Sequence, residues 1–194
     1  MDIVERAVRV LRRDGIIVYP TDTVYGLGAD AFSDDALLRV YEAKGRPLGK
    51  PISIAVSDTD MLCAVASADD FALALIGRFL PGPLTVILGA RSCIPSLLTG
   101  GTGRIGIRIP AHDLALRIIG SFDSPITATS ANISGGPDPA TPGEVRVPYD
   151  LLVDGGSLPG TPSTVVDLVD RRILRRGTLA DEVDDYLRKE GRGA

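Results

Sequence analysis

The chain has 194 residues, a formal net charge of −4, 44% hydrophobic and 24% charged residues, proportions that argue against disorder and suit one domain burying roughly 70% of its unfolded surface. The acidic balance argues against a broad basic face for nucleic acid, no apolar run approaches the ~20 residues that span a bilayer, and the N-terminal MDIVERAVRVLRRDG interleaves charges where a signal peptide is apolar. Two cysteines, Cys63 and Cys93, are too few for a disulfide framework or a zinc site, and the single histidine, His112, argues against a histidine-rich metal centre.

Along the chain, residues 2 to 13 set Ile3, Val4, Ala7, Val8, Val10 and Leu11 at helical spacing, and Asp14-Gly15 ends that helix. Ile16 to Tyr19 is a short apolar strand stopped by Pro20, and PTDTVYGLGAD, Pro20 to Asp30, reads as a polar, glycine-punctuated loop. Ser33 caps a helix running to about Ala43; KGRPLGKP, Lys44 to Pro51, then feeds a strand from Ile52 to Val56. Residues 58 to 80 read as one or two helices, the second capped by Ser67, ending at Pro81-Gly82-Pro83. Strands Leu84 to Leu88 and Ile105 to Ile109 flank the loop TGGTGR, residues 99 to 104. A helix from Asp113 to Gly120 leads to a strand from Ile126 to Thr129 and the loop SANISGGPDPATPGE. Short strands near Leu151, from Thr164 to Val169 and at Ile173 to Leu174 precede a final amphipathic helix, with Thr178 as cap and Asp181 in capping-box position. Early alternation of strand and helix, followed by hairpin-like strands, predicts an α/β fold on a mixed sheet.

Gly and Pro together make 36 of 194 residues, about 19%, against the usual ~12%, so loops carry much of the chain. A literal G-x-G-x-x-G at Gly101, Gly103 and Gly106 is not a dinucleotide fingerprint, because its third glycine lies inside the alternating strand RIGIRIP instead of opening a helix. No Walker A sequence occurs, and the Asn132-Ile133-Ser134 sequon carries no meaning without secretion. His112 reads as a solvated or capping side chain, Cys63 as core, and Cys93 as an unactivated loop thiol.

Three loops are harder to explain as turns alone. PTDTVYGLG holds two threonines, an aspartate and a tyrosine, with glycines that let a ligand approach the backbone. KGRPLGK carries Lys44, Arg46 and Lys50 with no acid, a cluster that repels itself unless it is solvated or meets an anion. TSANISGG concentrates hydroxyls, an amide and backbone N–H groups after a strand, which is hydrogen-bonding material for phosphate or carboxylate. Arg104 and Arg108 share one strand face, and Arg175 follows another strand. With no histidine base, cysteine nucleophile or carboxylate pair evident, this inventory suits transfer of a nucleotidyl or phosphoryl group, in which positioning and charge neutralisation dominate.

At these residues the chain resembles the YrdC-like threonylcarbamoyl-AMP synthases. The matching features are PTDTVYGLG at 20 to 28, Lys44 and Arg46 as K-x-R, KPIS at 50 to 53, PGPLT at 81 to 85, IRIP at 107 to 110, Ser130 and Asn132 as S-x-N, and STVVD at 163 to 167. Each is weak alone, but the ordered set spans residues 16 to about 177. The resemblance implies one YrdC-like domain over residues 1–194, a twisted mixed parallel and antiparallel sheet flanked by helices around a large, positively charged concave cavity. It implies an enzyme that condenses L-threonine, bicarbonate or CO₂ and ATP into threonylcarbamoyl-AMP and pyrophosphate. A separate transferase complex would then modify the adenosine beside the anticodon of tRNA, in the cytoplasm, with at most weak tRNA contact by this chain.

Carried over by position, the resemblance implies that Thr23, Arg108, Ala128 and Ser163 form the threonine pocket, with Arg108 on the carboxylate. Lys44, Arg46, Ser130, Asn132 and Arg175 would hold the phosphates and ribose of ATP, with Lys50 and Asp138 at the nucleotide's edge. The catalytic set would be Lys44, Arg46, Ser130 and Asn132. Mg²⁺ would travel on the phosphates without a protein cage. The chain departs from longer relatives in ending after the final helix, in Ala55 where they carry a histidine, and in Arg104 where a small hydroxyl residue is common. Two other readings are a paralogue of the same fold handling another carbamoyl-adenylate and an RNA-binding module. The second is disfavoured by an aromatic content of 5% with no Trp to stack bases.

Overall fold

A computed structural model describes residues 2–190 of the chain. Its elements are α1 (Ile3–Leu11), β1 (Ile17–Tyr19), β2 (Gly26–Gly28), α2 (Asp34–Lys44), β3 (Ile54–Ala55), α3 (Thr59–Val65), β4 (Ala66–Ser67), α4 (Asp70–Phe79), β5 (Leu84–Ala90), α5 (Ser96–Thr99), β6 (Arg104–Arg108), α6 (Asp113–Phe122), β7 (Ile126–Thr127), β8 (Thr129–Ser130), β9 (Leu151–Leu152), β10 (Thr164–Asp167), β11 (Arg172–Arg175) and α7 (Ala180–Glu190).

The strands form two mixed sheets, one ordered β8-β2-β1-β9 and the other β11-β10-β5-β6-β3-β7, with β4 paired to β5. In the larger sheet β10 runs parallel to β5, and β3 parallel to β6, while β5 opposes β6 and β10 opposes β11. The mixed pairing read from the sequence therefore holds, but on two sheets. The strand expected from Ile126 to Thr129 is what divides them. It breaks at Ala128, whose N–H donates to the Ser53 carbonyl at 2.7 Å, so that β7 pairs with β3 in one sheet and β8 with β2 in the other.

The apolar run IIVY is explained by burial on both faces. Ile16 and Val18 enter the main core with Leu27, Ile54, Val86, Ile107 and Val166, whereas Ile17 and Tyr19 point the other way, into a second core under α1 and α6. Each fully buried aliphatic of this kind contributes about 1.5–3 kcal/mol. The expected loop from Pro20 to Asp30 contains strand β2, antiparallel to β1, because Gly26 and Gly28 close against the Tyr19 ring. A Cβ on either glycine would come within 2.9 Å of that ring, so these glycines serve strand packing and not the approach of a ligand.

Helix starts follow their caps. Ser33 Oγ accepts from Ala36 N at 3.2 Å, and Gly45, in the left-handed conformation, ends α2. Residues 58 to 80 hold two helices, but Ser67 caps neither. Asp58 caps α3 and Asp69 caps α4, each carboxylate accepting a backbone N–H at 2.8 Å, and Ser67 sits in β4 between them. At the head of α7 the hydroxyl that receives backbone amides is Thr164's, from Gly177 and Leu179, while Asp181 pairs with Arg176. His112 occupies the backbone N-cap position of α6, yet its ring makes no capping bond and its Nδ1 is buried without a partner.

Candidate active site

Strand direction decides which residues meet. Because β5 and β10 run opposite to β6 and β11, the start of β5 (Thr85), the residue before β10 (Ser163) and the ends of β6 and β11 (Arg108, Arg175) fall at one end of the larger sheet. There they line a cleft of about 210 Å³. Thr23 enters from the turn after β1, Ala128 and Ser130 from the crossing between the sheets, and Arg46 and Asp138 from the two loops that follow α2 and β8. Eight residues expected from the sequence thus share one cavity: Thr23, Arg46, Arg108, Ala128, Ser130, Asp138, Ser163 and Arg175. A larger hollow of about 620 Å³ between α1 and α6 is bordered by Arg9, Arg12, Arg13 and Arg117 but by none of the expected residues, so size alone does not locate the chemistry.

Within the cleft, Arg108 is 6% exposed and bonds Asp22 Oδ1 at 2.5 Å and Thr23 Oγ at 3.0 Å. Thr23 Oγ is in turn 2.9 Å from Thr21 Oγ, and Thr21 donates to the Val24 carbonyl, so the turn is knotted by its own hydroxyls. Opposite, Ser163 Oγ lies 2.9 Å from Thr85 Oγ and accepts from Arg175 at 3.0 Å, while Arg175 Nε donates to the Ser163 carbonyl. Burial is the main force pulling Arg175 below the usual guanidinium range; Asp138 opposes it and Arg108 adds to it. Three guanidinium groups, those of Arg46, Arg108 and Arg175, border this one cavity.

Lys44, Asn132 and Lys50 do not border the cleft. Lys44 is 1% exposed, and its ammonium donates to the Ser130 carbonyl at 2.5 Å, the Asn132 carbonyl at 2.8 Å and Asn132 Oδ1 at 3.0 Å. All three of its N–H groups are thereby used. Asn132 accepts also from Ser130 Oγ and donates to Gly136 O and Asp138 Oδ1, and Ser134 N returns a bond to the Lys44 carbonyl at 2.8 Å. The K-x-R and S-x-N segments are therefore locked together, and the lysine lies behind the wall of the cleft. Burial first, then the charge of Arg46, lowers its pKa from 10.5 to about 8, with Asp138 opposing. Lys50 is exposed at the loop edge, offering its carbonyl to Tyr41 and Arg46.

Three further residues belong to the site and were not singled out from the sequence: Asp22, Thr85 and Ser53. Asp22 and Thr85 stand inside the motifs PTDTVYGLG and PGPLT, and a polar side chain within an otherwise apolar strand was the available signal for Thr85. Ser53 and Thr85 flank Gly106, where a Cβ would come within 2.4 Å of Ser53 Oγ. The glycine of RIGIRIP thus keeps the cleft wall close. Arg104, on the same strand face as Arg108, is turned away to Asp167 at 2.6 Å and Asp170 at 2.8 Å and lies outside the cleft.

The fold and this cleft define a class: mixed-sheet α/β proteins with an arginine- and hydroxyl-lined cavity at one sheet end. The family profile Sua5_yciO_yrdC, described as "Telomere recombination", matches residues 9–177. The chain belongs to this Sua5/YciO/YrdC family. It is 39% identical over 190 residues to a threonylcarbamoyl-AMP synthase of Pyrococcus abyssi, covering 93% of this chain and 56% of that protein. It is 30% identical over 187 residues to the threonylcarbamoyl-AMP synthase of Escherichia coli K12, covering 91% and 96%. The crystal structure of P. abyssi Sua5 complexed with L-threonine superposes with a TM-score of 0.87 at 36% identity, over 94% of this chain and 56% of that one. The chain therefore spans about half of the Pyrococcus protein and nearly all of the E. coli one.

Proposed function

We propose that this chain is a threonylcarbamoyl-AMP synthase, acting as one domain in the cytoplasm, that joins L-threonine, bicarbonate or CO₂ and ATP with release of pyrophosphate. The observation that carries this reading is the single cleft that gathers Thr23, Arg108, Ala128 and Ser163 beside Arg46, Ser130 and Arg175. An amino acid and a nucleotide held in one cavity can react without diffusing apart, which converts a bimolecular step into an effectively unimolecular one.

In this mechanism the guanidinium of Arg108 takes the planar carboxylate of threonine, and the hydroxyls of Thr23 and Ser163 face its side chain. The threonine ammonium loses one proton to solvent, and the free amine forms a C–N bond to CO₂ and releases a second proton to solvent, giving a carbamate. A carbamate oxygen then attacks the α-phosphorus of ATP, and the bond to the β-phosphate oxygen breaks as pyrophosphate leaves. Arg46 and Arg175 offset the charge that gathers on the leaving group, and Ser130 donates to phosphate or ribose oxygens. Lys44 and Asn132 hold the Ser130 loop in place. Among the described residues no three His, Cys, Asp or Glu side chains gather as a metal site. Mg²⁺ would ride on the substrate's phosphate oxygens, and no step is assigned to the protein through it. The product would pass to a transferase complex acting on tRNA. Among the described residues no helix is long and apolar enough to cross a membrane.

The test is pyrophosphate release from ATP with and without L-threonine and bicarbonate. Release that requires both establishes the reaction. Release independent of threonine would instead point to a paralogue using another acceptor.

A further inference from the structure

Among the described residues, three buried side-chain polar atoms lack a hydrogen-bond partner, and two of them belong to one ion pair: Asp22 Oδ2 and Arg108 Nε. The pair is nearly enclosed, its side chains 11% and 8% exposed. Buried polar groups are nearly always satisfied in folded proteins, and here both members of one ion pair keep unspent capacity. Arg108 and Thr23 border the cleft, whereas Asp22 does not. Asp22 therefore acts on a ligand through Arg108.

The other two guanidinium groups in the cleft are held differently. Arg46 donates to the carbonyls of Lys50 and Pro51, and Arg175 to the carbonyl and hydroxyl of Ser163. Among the described residues, neither spends its charge on a bonded carboxylate. One cavity thus holds its guanidinium groups differently: Arg108 is neutralised at 2.5 Å by Asp22, whereas Arg46 and Arg175 have no directly bonded carboxylate among the described residues, and Asp138, which also borders the cleft, accepts from Asn132. A polyphosphate, with several negative charges, is drawn more strongly to guanidinium groups without a bonded carboxylate than to one already neutralised. A zwitterionic amino acid has no net charge, and its carboxylate still finds free N–H groups on Arg108.

We infer that Asp22 is a positioning and specificity-determining residue of the amino-acid subsite: by orienting and neutralising Arg108 it reserves that guanidinium for the carboxylate of a zwitterion and keeps nucleotide phosphates at Arg46 and Arg175. The inference rests on the reading of the cleft as an amino-acid and nucleotide site. Its consequence is that the two substrates do not compete for one cation, although all three arginines face the same small cavity.

The experiment is calorimetric titration of L-threonine into the whole chain, with and without inorganic pyrophosphate, for the wild type and the D22N and D22E variants. In the wild type, pyrophosphate should leave the threonine Kd within about twofold. D22N keeps the shape but loses the charge; it should weaken threonine about tenfold or more, the usual cost of losing a charge-assisted bond, and let pyrophosphate weaken it further. D22E keeps the charge on a longer arm and should still exclude pyrophosphate even where threonine binding falls. Equal threonine affinity in D22N and wild type overturns the inference. So does weakening in D22N without new competition, which would make Asp22 a shaping residue only. Admission of pyrophosphate by D22E overturns it independently, should D22N fail to fold. A wild-type chain that takes up no L-threonine would sink the functional reading and this inference with it, whereas failure in the variants alone leaves that reading standing.

Discussion

The two ends of strand β6 carry the same chemistry to opposite ends. Arg104 and Arg108 lie four residues apart on one face, and each meets aspartate. Arg104 spends one guanidinium nitrogen on both Asp167 and Asp170 and a second on Asp170, with its side chain 35% exposed. The hydrogen bonds with Asp170 and Asp167 hold it above the usual guanidinium range. It is a staple between β6 and the turn after β10. Arg108 is buried, has one carboxylate and one hydroxyl, and keeps an unpartnered Nε. An arginine is available to a ligand when it keeps donors unspent on a cavity wall, and the same residue clamped by two aspartates outside the cavity is structure. Surface ion pairs contribute little, whereas breaking a buried pair is costly, so the two ends should respond very differently to substitution.

Arg108→Ala should have the largest effect. It removes the carboxylate ligand and strands Asp22, so threonine-dependent pyrophosphate release should fall about a hundredfold or more while nucleotide binding persists. The stranded aspartate should lower stability by about 3–5 kcal/mol, read by urea denaturation. Unchanged threonine dependence would erase the distinction between the two ends of β6.

Lys44→Met should come next. It leaves the Ser130 and Asn132 carbonyls without their lysine donor and Asn132 Oδ1 with only Ser130 Oγ, at a cost of roughly 2–3 kcal/mol, and frees the Ser130 loop. Adenylate formation should be lost, with the threonine Kd kept within a few fold. A variant as stable as the wild type would show that Lys44 points into the cleft and touches phosphate directly.

A smaller, pH-dependent effect comes from the same residue. Its pKa is lowered from 10.5 to about 8, so between those values the unfolded chain holds more protons than the folded one. The contribution of Lys44 to stability is therefore least favourable below pH 8 and rises with pH through 10.5. Activity should move the other way. A neutral amine has two N–H groups for three oxygens, the loop loosens, and the rate should decline with a midpoint near pH 8. A rate profile flat from pH 7 to 10 would remove Lys44 from the mechanism.

Arg104→Ala should do least. Its pairs are partly exposed, so melting should shift modestly while the threonine KM and the rate stay within about twofold. A large rise in KM for ATP would mean that Arg104 reaches phosphate after all.

Much of the fold was legible because local signals agreed with the tertiary outcome. The i, i+3, i+4 spacing of Val4, Ala7, Val8 and Leu11 yields α1, and Ser33 with Gly45 brackets α2. Reading failed where a local signal had a competitor. Ser67 looked like a cap, but Asp69 lies two residues on, and its carboxylate takes the Ala72 amide. Gly26 and Gly28 looked like loop residues, since nothing local reveals that the Tyr19 ring needs their missing side chains. For the site, the ordered motifs brought eight of the expected residues to one cleft, because strand ends and the turns after them are where a sheet presents side chains to a ligand.

The sequence alone determined the mixed α/β class, the placement of most helices and the cluster of cations and hydroxyls on a few loops, since these follow from hydrophobic period, capping chemistry and residue type. Only the tertiary structure decided which cations remain available. Lys44, Arg104 and Arg108 are alike in charge and stand in equally distinctive motifs. The first is enclosed by three oxygens of another loop, the second is clamped by two aspartates more than sixty residues away, and the third, on the cleft wall, keeps its Nε unspent. Whether a charge binds a ligand or the protein itself depends on acceptors contributed by distant segments, and no local pattern records how those segments meet.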